Sequence, residues 1–398
     1  MSYAGMTRRT FQRHATAIAL LTPLALFLIL FFVWPLFSMM KTAVSDAVVA
    51  RAFPSMSAAV ADWDGQSPPT PAMQDALVGD IRTMDDQQAL GDAVRRLNGQ
   101  FSGFRSLMGR TTAAIKKADG GPVDLAQADK RWAEPGPWKA IADSLTPYTD
   151  RFLLAAVDYG RNDLGAIERL PSNASAHQAI FLRTFLIAGL VTLMCILIGY
   201  PYAMLAASVE GWRRHALLAA ILIPMWTSVL VRTAAWFILL QDQGIINGLL
   251  TGLGITREPV ALLFNRIGVV LAMTHMLLPF MVLPIFSVLI SIPRNLMPAA
   301  ASMGAGPVRA FVRVMLPLSV RGVVSGSLLV FMTSIGFYII PALLGGPTDQ
   351  LISSIIAFYA MGSANWQMAS ALGVILFVAT AGLYVVYNRL SADRTAGA

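Results

Sequence analysis

Residues 298–317 read Pro298-Ala-Ala-Ala-Ser-Met-Gly-Ala-Gly-Pro-Val-Arg-Ala-Phe-Val-Arg-Val-Met-Leu-Pro317. This segment lies between two long apolar runs and carries two arginines, Arg309 and Arg313. Asn295 is placed to cap a short helix, which puts Pro298 at its third position. The first N–H groups of a helix have no intrahelical partner, so a proline there loses no bond. Ala299, Ala300 and Ala301 give the helix a small, smooth face. Gly304 and Gly306 permit a tight turn, and Pro307 suits the first position of a following helix. A small helix ending in glycine suits docking into a groove on a partner protein; the alternative is an ordinary cytoplasmic connector between helices.

Working outward, the chain reads as a membrane protein. It is 398 residues long, 56% hydrophobic and 13% charged, whereas soluble domains average about 25% charged. Six stretches are long enough to span a bilayer, which takes about 20 apolar residues. They are expected near 17–40, 179–208, 215–240, 263–291, 318–344 and 366–389. The arginines orient them. Arg8, Arg9 and Arg13 precede the first span, and Arg213 and Arg214 separate the second from the third. Arg294, Arg309 and Arg313 separate the fourth from the fifth, Arg321 begins the fifth, and Arg389 and Arg394 follow the sixth. With six crossings these fall on one side, so the positive-inside bias makes both termini cytoplasmic. Thr7-Arg-Arg-Thr-Phe-Gln-Arg13 resembles a twin-arginine export signal, but the apolar run after it is long enough to span, so it is read as an uncleaved first helix.

The net charge of +8 is unevenly placed. Residues 41–176 hold 17 of the 22 acids, 15 of the 30 bases and every lysine, a net of −2, leaving +10 for the rest. The basic total therefore reflects topology, and nucleic-acid binding is excluded as its explanation. Residues 41–176 form one large periplasmic insertion. It opens with a turn or linker, Ser67-Pro-Pro-Thr-Pro71. Apolar positions then recur at helical spacing through Leu77, Ile81, Leu90, Val94 and Leu97, with further amphipathic pieces at 104–118, 137–145 and 150–158. A small helical cap domain is expected. Cys195 is the single cysteine, so neither an intrachain disulfide nor a cysteine metal site forms.

The 298–317 segment resembles the EAA loop of ABC importer permeases: Glu-Ala-Ala, three residues, Gly, nine residues, Ile, one residue, Leu-Pro. Ala299, Ala300, Gly304, Leu316 and Pro317 match, Val314 stands at the Ile position, and Pro298 departs where the pattern has Glu. Tyr200-Pro-Tyr-Ala203, Ile223-Pro-Met-Trp226, Gly244-Ile-Ile-Asn247, Leu278-Pro-Phe280 and Phe337-Tyr-Ile-Ile-Pro341 follow in the order found in permease subunits of the spermidine/putrescine ABC importer group. The likeness covers 179–390 and does not clearly cover 41–176. It implies an all-α, type I importer permease fold with six transmembrane helices, in the bacterial inner membrane. The division it suggests is 1–40 for the N-terminus and first helix, 41–176 for the insertion, 177–390 for the permease core with a coupling loop at 292–317, and 391–398 for a cytoplasmic tail.

The resemblance further implies two ATPase subunits, a second permease subunit and a periplasmic solute-binding protein as partners. Pro298, Ala299, Ala300, Gly304, Ala305, Leu316 and Pro317 would then face the ATPase. The chain has no Gly-Lys pair and hence no Walker A loop. It is read as a non-enzyme that binds no cofactor, with ATP and Mg on the separate ATPase. Trp226, Arg232, Trp236 and Tyr338 are the candidate translocation-path residues. Arg232 is the one charge deep in a span; it lines the passage, pins a subunit interface or snorkels to the surface. His275 is read as a hydrogen-bonded packing residue. No acid lies in the core of any span. The expected solute is a polyamine, with an opine or amino-acid derivative as the alternative. A membrane-anchored sensor built on the insertion is the alternative of another class.

Overall fold

The computed structural model describes residues 19–162, 166–171 and 175–396. Arg8, Arg9, Arg13 and His14 lie outside the described residues. The chain divides into two compact units between Leu154 and Ala155.

The first unit begins with α1, Ala19–Val44, an apolar helix long enough to cross a bilayer. Its side chains are exposed from Leu20 to Trp34, as lipid contact requires. The cap follows: α2 Val48–Ala52, α3 Pro71–Thr83, α4 Gln87–Asn98, α5 Phe104–Lys117 and α6 Pro135–Ala142. Its helix starts are those that the sequence chemistry favours. Thr70 accepts from Met73 N ahead of Pro71, and Asp86 accepts from Gln88 N and Ala89 N. The apolar stripes of α3, α4 and α5 meet around Trp132, Trp138 and Phe104, all 1% exposed or less. The Trp132 and Trp138 rings lie 4.8 Å apart, a pairing that adds about 0.5–1.5 kcal/mol beyond burial. Their N–H groups are satisfied by Thr111 Oγ1 and by the Trp132 carbonyl. Both ends of the cap are stitched together: Ser45 and Tyr148 form a β-bridge, and Thr149 N donates to Val44 O at 2.8 Å.

The second unit opens with a small antiparallel hairpin, β1 Tyr159–Arg161 and β2 Ile167–Arg169. The helical expectation for 41–176 thus holds only up to residue 156. Then come α7 His177–Ser208, α8 Trp212–Leu222, α9 Val229–Leu239, α10 Ile245–Gly252, α11 Arg266–Ser291, α12 Leu296–Ser302, α13 Pro307–Gly336, α14 Ile339–Leu344, α15 Ile352–Gly362 and α16 Trp366–Ala396. Asp158 starts α7 by accepting from His177 N at 2.9 Å and Gln178 N at 2.8 Å.

The core of this unit is α7, α11 and α13 packed on one another. Small residues set the closeness of α11 and α13. A Cβ on Gly322 would stand 2.9 Å from the Pro284 carbonyl, and one on Gly326 3.1 Å from the Met281 carbonyl. This four-residue spacing of glycines is the close-packing device of membrane helices. Tyr200 Oη and Ser319 Oγ, 2.7 Å apart and buried, tie α7 to α13.

Two expected spans are corrected. The third, 215–240, is broken: its two arms, Trp212–Trp226 and Val229–Leu239, meet at 101°. Pro224 opens a tight turn, Thr227 and Ser228 are extended, and the Ser228 hydroxyl caps α9 by accepting from Leu230 N. The fifth, 318–344, starts earlier, at Pro307, and stops at Gly336. A helix running through Phe337 would need an N–H that Pro341 lacks, so α14 starts afresh at Ile339. Leu316 and Pro317 consequently lie within α13 rather than in a loop, and the expected tail is helical to Ala396. Among the described residues, five helices are long enough to cross a membrane, and the bent pair counted as one span makes six.

Candidate functional site

The first candidate region is α12 and the turn after it. Asn295 occupies the cap position without a side-chain hydrogen bond, and Pro298 is the third helical residue. The helix closes by a paired motif: Gly304 N donates to Ala301 O at 2.9 Å and Ala305 N to Ala300 O at 3.0 Å. Gly304 has φ +82°, the left-handed conformation such an ending demands. Gly306 then leads into Pro307 at the first turn of α13. Of the expected coupling residues, Pro298, Ala299, Gly304, Leu316 and Pro317 are exposed, Ala305 is half-buried and Ala300 is buried. Ala300 therefore anchors the helix from beneath. Met303 and Val308, at 83% and 76% exposure, place apolar surface at the tip. The segment is also braced by Arg294, which pairs with Glu210 in the α7–α8 connection. The Arg294 hydrogen bond, followed by its charge, holds the Glu210 carboxyl below its usual range.

The second region is a polar group on α9 and α11. Trp236 Nε1 donates to His275 Nδ1 at 3.1 Å, with ring centroids 5.5 Å apart. Arg232 stands one turn earlier on α9, half-buried, its Nε enclosed and without a hydrogen-bond partner. His275 is hydrogen-bonded as expected, yet exposed rather than packed. Trp226 is 92% exposed and Tyr338 41%. Among the described residues, no hydrogen bond or ring contact joins either of them to the Trp236–His275 pair. An apolar cleft lined by residues such as Thr192, Phe331, Met332 and Leu383 shares no residue with this group.

The Gly244-Ile-Ile-Asn247 stretch serves structure. Asn247 is 1% exposed; its Nδ2 donates to Gln241 O and Val260 O, and its Oδ1 accepts from Val260 N. It clamps the connection that follows α10. Arg266 and Asp349, 3.1 Å apart, fasten the start of α11 to the segment after α14. The Arg266–Asp349 clamp was not foreseeable from local pattern, because it joins residues remote in sequence.

The long apolar helices among the described residues define an integral membrane protein. The family described as binding-protein-dependent transport system inner membrane component matches residues 199–395. The chain is 35% identical over 202 residues to the spermidine/putrescine transport system permease protein PotB of Haemophilus influenzae, covering 51% of this chain and 71% of that one. It is 30% identical over 212 residues to PotB of Escherichia coli, covering 53% and 77%. Among solved structures, a bacterial alginate ABC transporter in complex with an alginate pentasaccharide-bound periplasmic protein aligns with a TM-score of 0.44 at 20% identity, covering 54% and 78%. The chain belongs to the binding-protein-dependent transport system inner membrane component family and is a permease subunit of an ABC importer. It is a multi-pass protein of the inner membrane.

Proposed function

We propose that this permease admits a polyamine, of the putrescine or spermidine class, from periplasm to cytoplasm. The names of the curated relatives support the solute. The exposed helix Leu296–Ser302, closed by left-handed Gly304, carries the mechanism. Its small outer face docks on a separate ATPase, which binds ATP and Mg. Closure of two such ATPases moves the helix, and α11 and α13, in close backbone contact, carry the movement into the membrane. A second permease subunit completes the passage, and a periplasmic binding protein delivers the solute.

Both termini are cytoplasmic in this reading, and the cap is periplasmic. Gln66→Cys and Met303→Cys test this, because both positions are exposed and native Cys195 is buried. An impermeant thiol reagent applied to cells with a permeabilised outer membrane labels Cys at 66 and spares Cys at 303; the reverse pattern inverts the topology. The solute is tested by uptake of labelled putrescine and spermidine in an import-deficient bacterium expressing the chain with its partner subunits. ATP-dependent polyamine uptake is expected. ATP-driven uptake of another solute only would remove the polyamine and leave the importer standing.

A further inference from the structure

Among the described residues, no acid pairs with Arg232. The arginine sits on α9 among exposed apolar residues, Leu230, Val231 and Ile238. Its Nε is enclosed and unpartnered, and no salt bridge reaches it among the described residues. Two arginines at the edges of the spans are paired within the chain: Arg266 with Asp349 and Arg294 with Glu210. No Asp or Glu occurs in 211–241 or 259–348, so the neighbouring helices offer Arg232 none. Arg232 is the fourth residue of α9, just past the break; ionisable residues within membrane segments are costly and face a partner or a cavity.

Three anions could meet it: a lipid phosphate, a solute carboxylate or a protein carboxylate. A snorkelling arginine stretches its tip toward water; the Arg232 Nε is enclosed without a partner and Trp236, one turn on, is bonded into α11, which favours a fixed protein partner for this stretch of α9. The solute proposed above is itself a cation, which a guanidinium repels. Leu230, Val231 and Ile238 are exposed on the flank of α9 beside Arg232, roughly 100–160° round the helix from it, and leave an apolar strip suited to another apolar protein surface. We propose that Arg232 forms an ion pair with a carboxylate of the second permease subunit, across an interface made by the Val229–Leu239 helix. The inference rests on the importer reading. Its chemical logic is charge complementarity: a lone cation on an apolar membrane face fits a surface that brings a lone acid.

The experiment uses the chain co-expressed with its second permease and ATPase. Arg232→Lys, Arg232→Met, Arg232→Gln and Arg232→Glu are compared for the amount of this chain in the membrane and for the second permease retained on purification in mild detergent. Lys is expected to retain it. Met keeps stem volume without charge, so it inserts as well as wild type yet loses second permease, as does Gln. Glu lowers retention at least tenfold. Selection for restored uptake in the Arg232→Glu strain should return an Asp or Glu changed to Lys or Arg in a membrane segment of the second permease. Full retention with uptake lost in Met, Gln and Glu would overturn the proposal in favour of a solute contact. Full retention and full uptake in all would overturn it in favour of a lipid headgroup. A wild-type chain that retains neither second permease nor ATPase would refute the importer reading itself.

Discussion

Trp236 Nε1 and His275 Nδ1, 3.1 Å apart, join the arm beyond the bend to the packed core of the permease. An indole N–H only donates, so His275 Nδ1 is the acceptor, and in the neutral ring the hydrogen resides on Nε2. The bond gives α9 a fixed register against α11, although α9 meets its preceding arm at 101° and shares no continuous helix with it.

Trp236→Phe keeps an aromatic ring, though a smaller one, and removes the donor. Hydrogen bonds between membrane helices average about 0.6 kcal/mol and reach about 1.7. Uptake should fall by roughly three- to eighteen-fold if that energy is fully expressed in the transport step, while membrane abundance stays near wild type. His275→Phe should match it, and the double variant should be no worse than either single one. Additive losses in the double variant would show that the two residues act independently.

The close approach of α11 and α13 leaves no room for side chains at Gly322 and Gly326. Gly326→Leu forces a branched side chain against the Met281 backbone. Overpacking typically costs about 1–3 kcal/mol, and the penalty here should be at the upper end because backbone must move. The expected result is a lower unfolding temperature in detergent and reduced membrane abundance. Gly248→Ala, whose Cβ would meet nothing within 4 Å, is the control and should leave both unchanged.

The membrane spans and the cap were legible for different reasons. Hydropathy located the spans, since lipid selects composition over some 20 residues. It could not see the break at Thr227-Ser228, where a capping serine sits inside an apolar run and costs little hydropathy. The cap helices at 71–83 and 87–98 were legible from apolar periodicity, whereas their caps, Thr70 and Asp86, emerge from the structure. The three-residue strands at Tyr159 and Ile167 were too short for a period of two to register. At the candidate site, Gly304 was readable because its conformation is local. The partnership of Trp236 with His275 was not, because it depends on how α9 folds back after the bend.

In the cap, Asp129 is 5% exposed in its side chain and bonds Arg131 at 2.8 Å, with Arg110 at 3.1 Å. The Arg131 hydrogen bond is the chief cause holding its carboxyl well below the usual range, with the Arg131 and Arg110 charges adding to it. A depressed folded-state pKa stabilises above the unfolded value, about 3.9, and that stabilisation is lost as pH falls through the folded value. Cap stability, followed through Trp132 and Trp138 fluorescence in the purified full chain, should therefore drop below about pH 4. Asp129→Asn should cost about 1.5–3 kcal/mol at neutral pH and flatten that acid limb. An unchanged acid limb in the variant would mean that other carboxylates set it.

Gly304 supplies the sharpest test of the coupling segment, because geometry and contact can be separated there. A Cβ at Gly304 would meet nothing within 4 Å, so any cost is conformational rather than steric within this chain. Its φ of +82° disfavours residues with a Cβ by about 1–2 kcal/mol, with asparagine the most tolerant of them. The residue is exposed, so the same Cβ also adds bulk toward whatever docks there. Gly304→Asn, Gly304→Ala and Gly304→Val should all insert in the membrane at wild-type levels. Backbone strain alone predicts that ATPase retention and solute-stimulated ATP turnover fall in the order Asn, Ala, Val, with Val abolishing turnover. A docking surface that tolerates no added volume predicts instead that Asn is worse than Ala, since its side chain is larger. Measuring ATPase co-purification and turnover in reconstituted membranes tells the two apart. Wild-type values for Val in both assays would show that α12 and its turn do not carry the coupling.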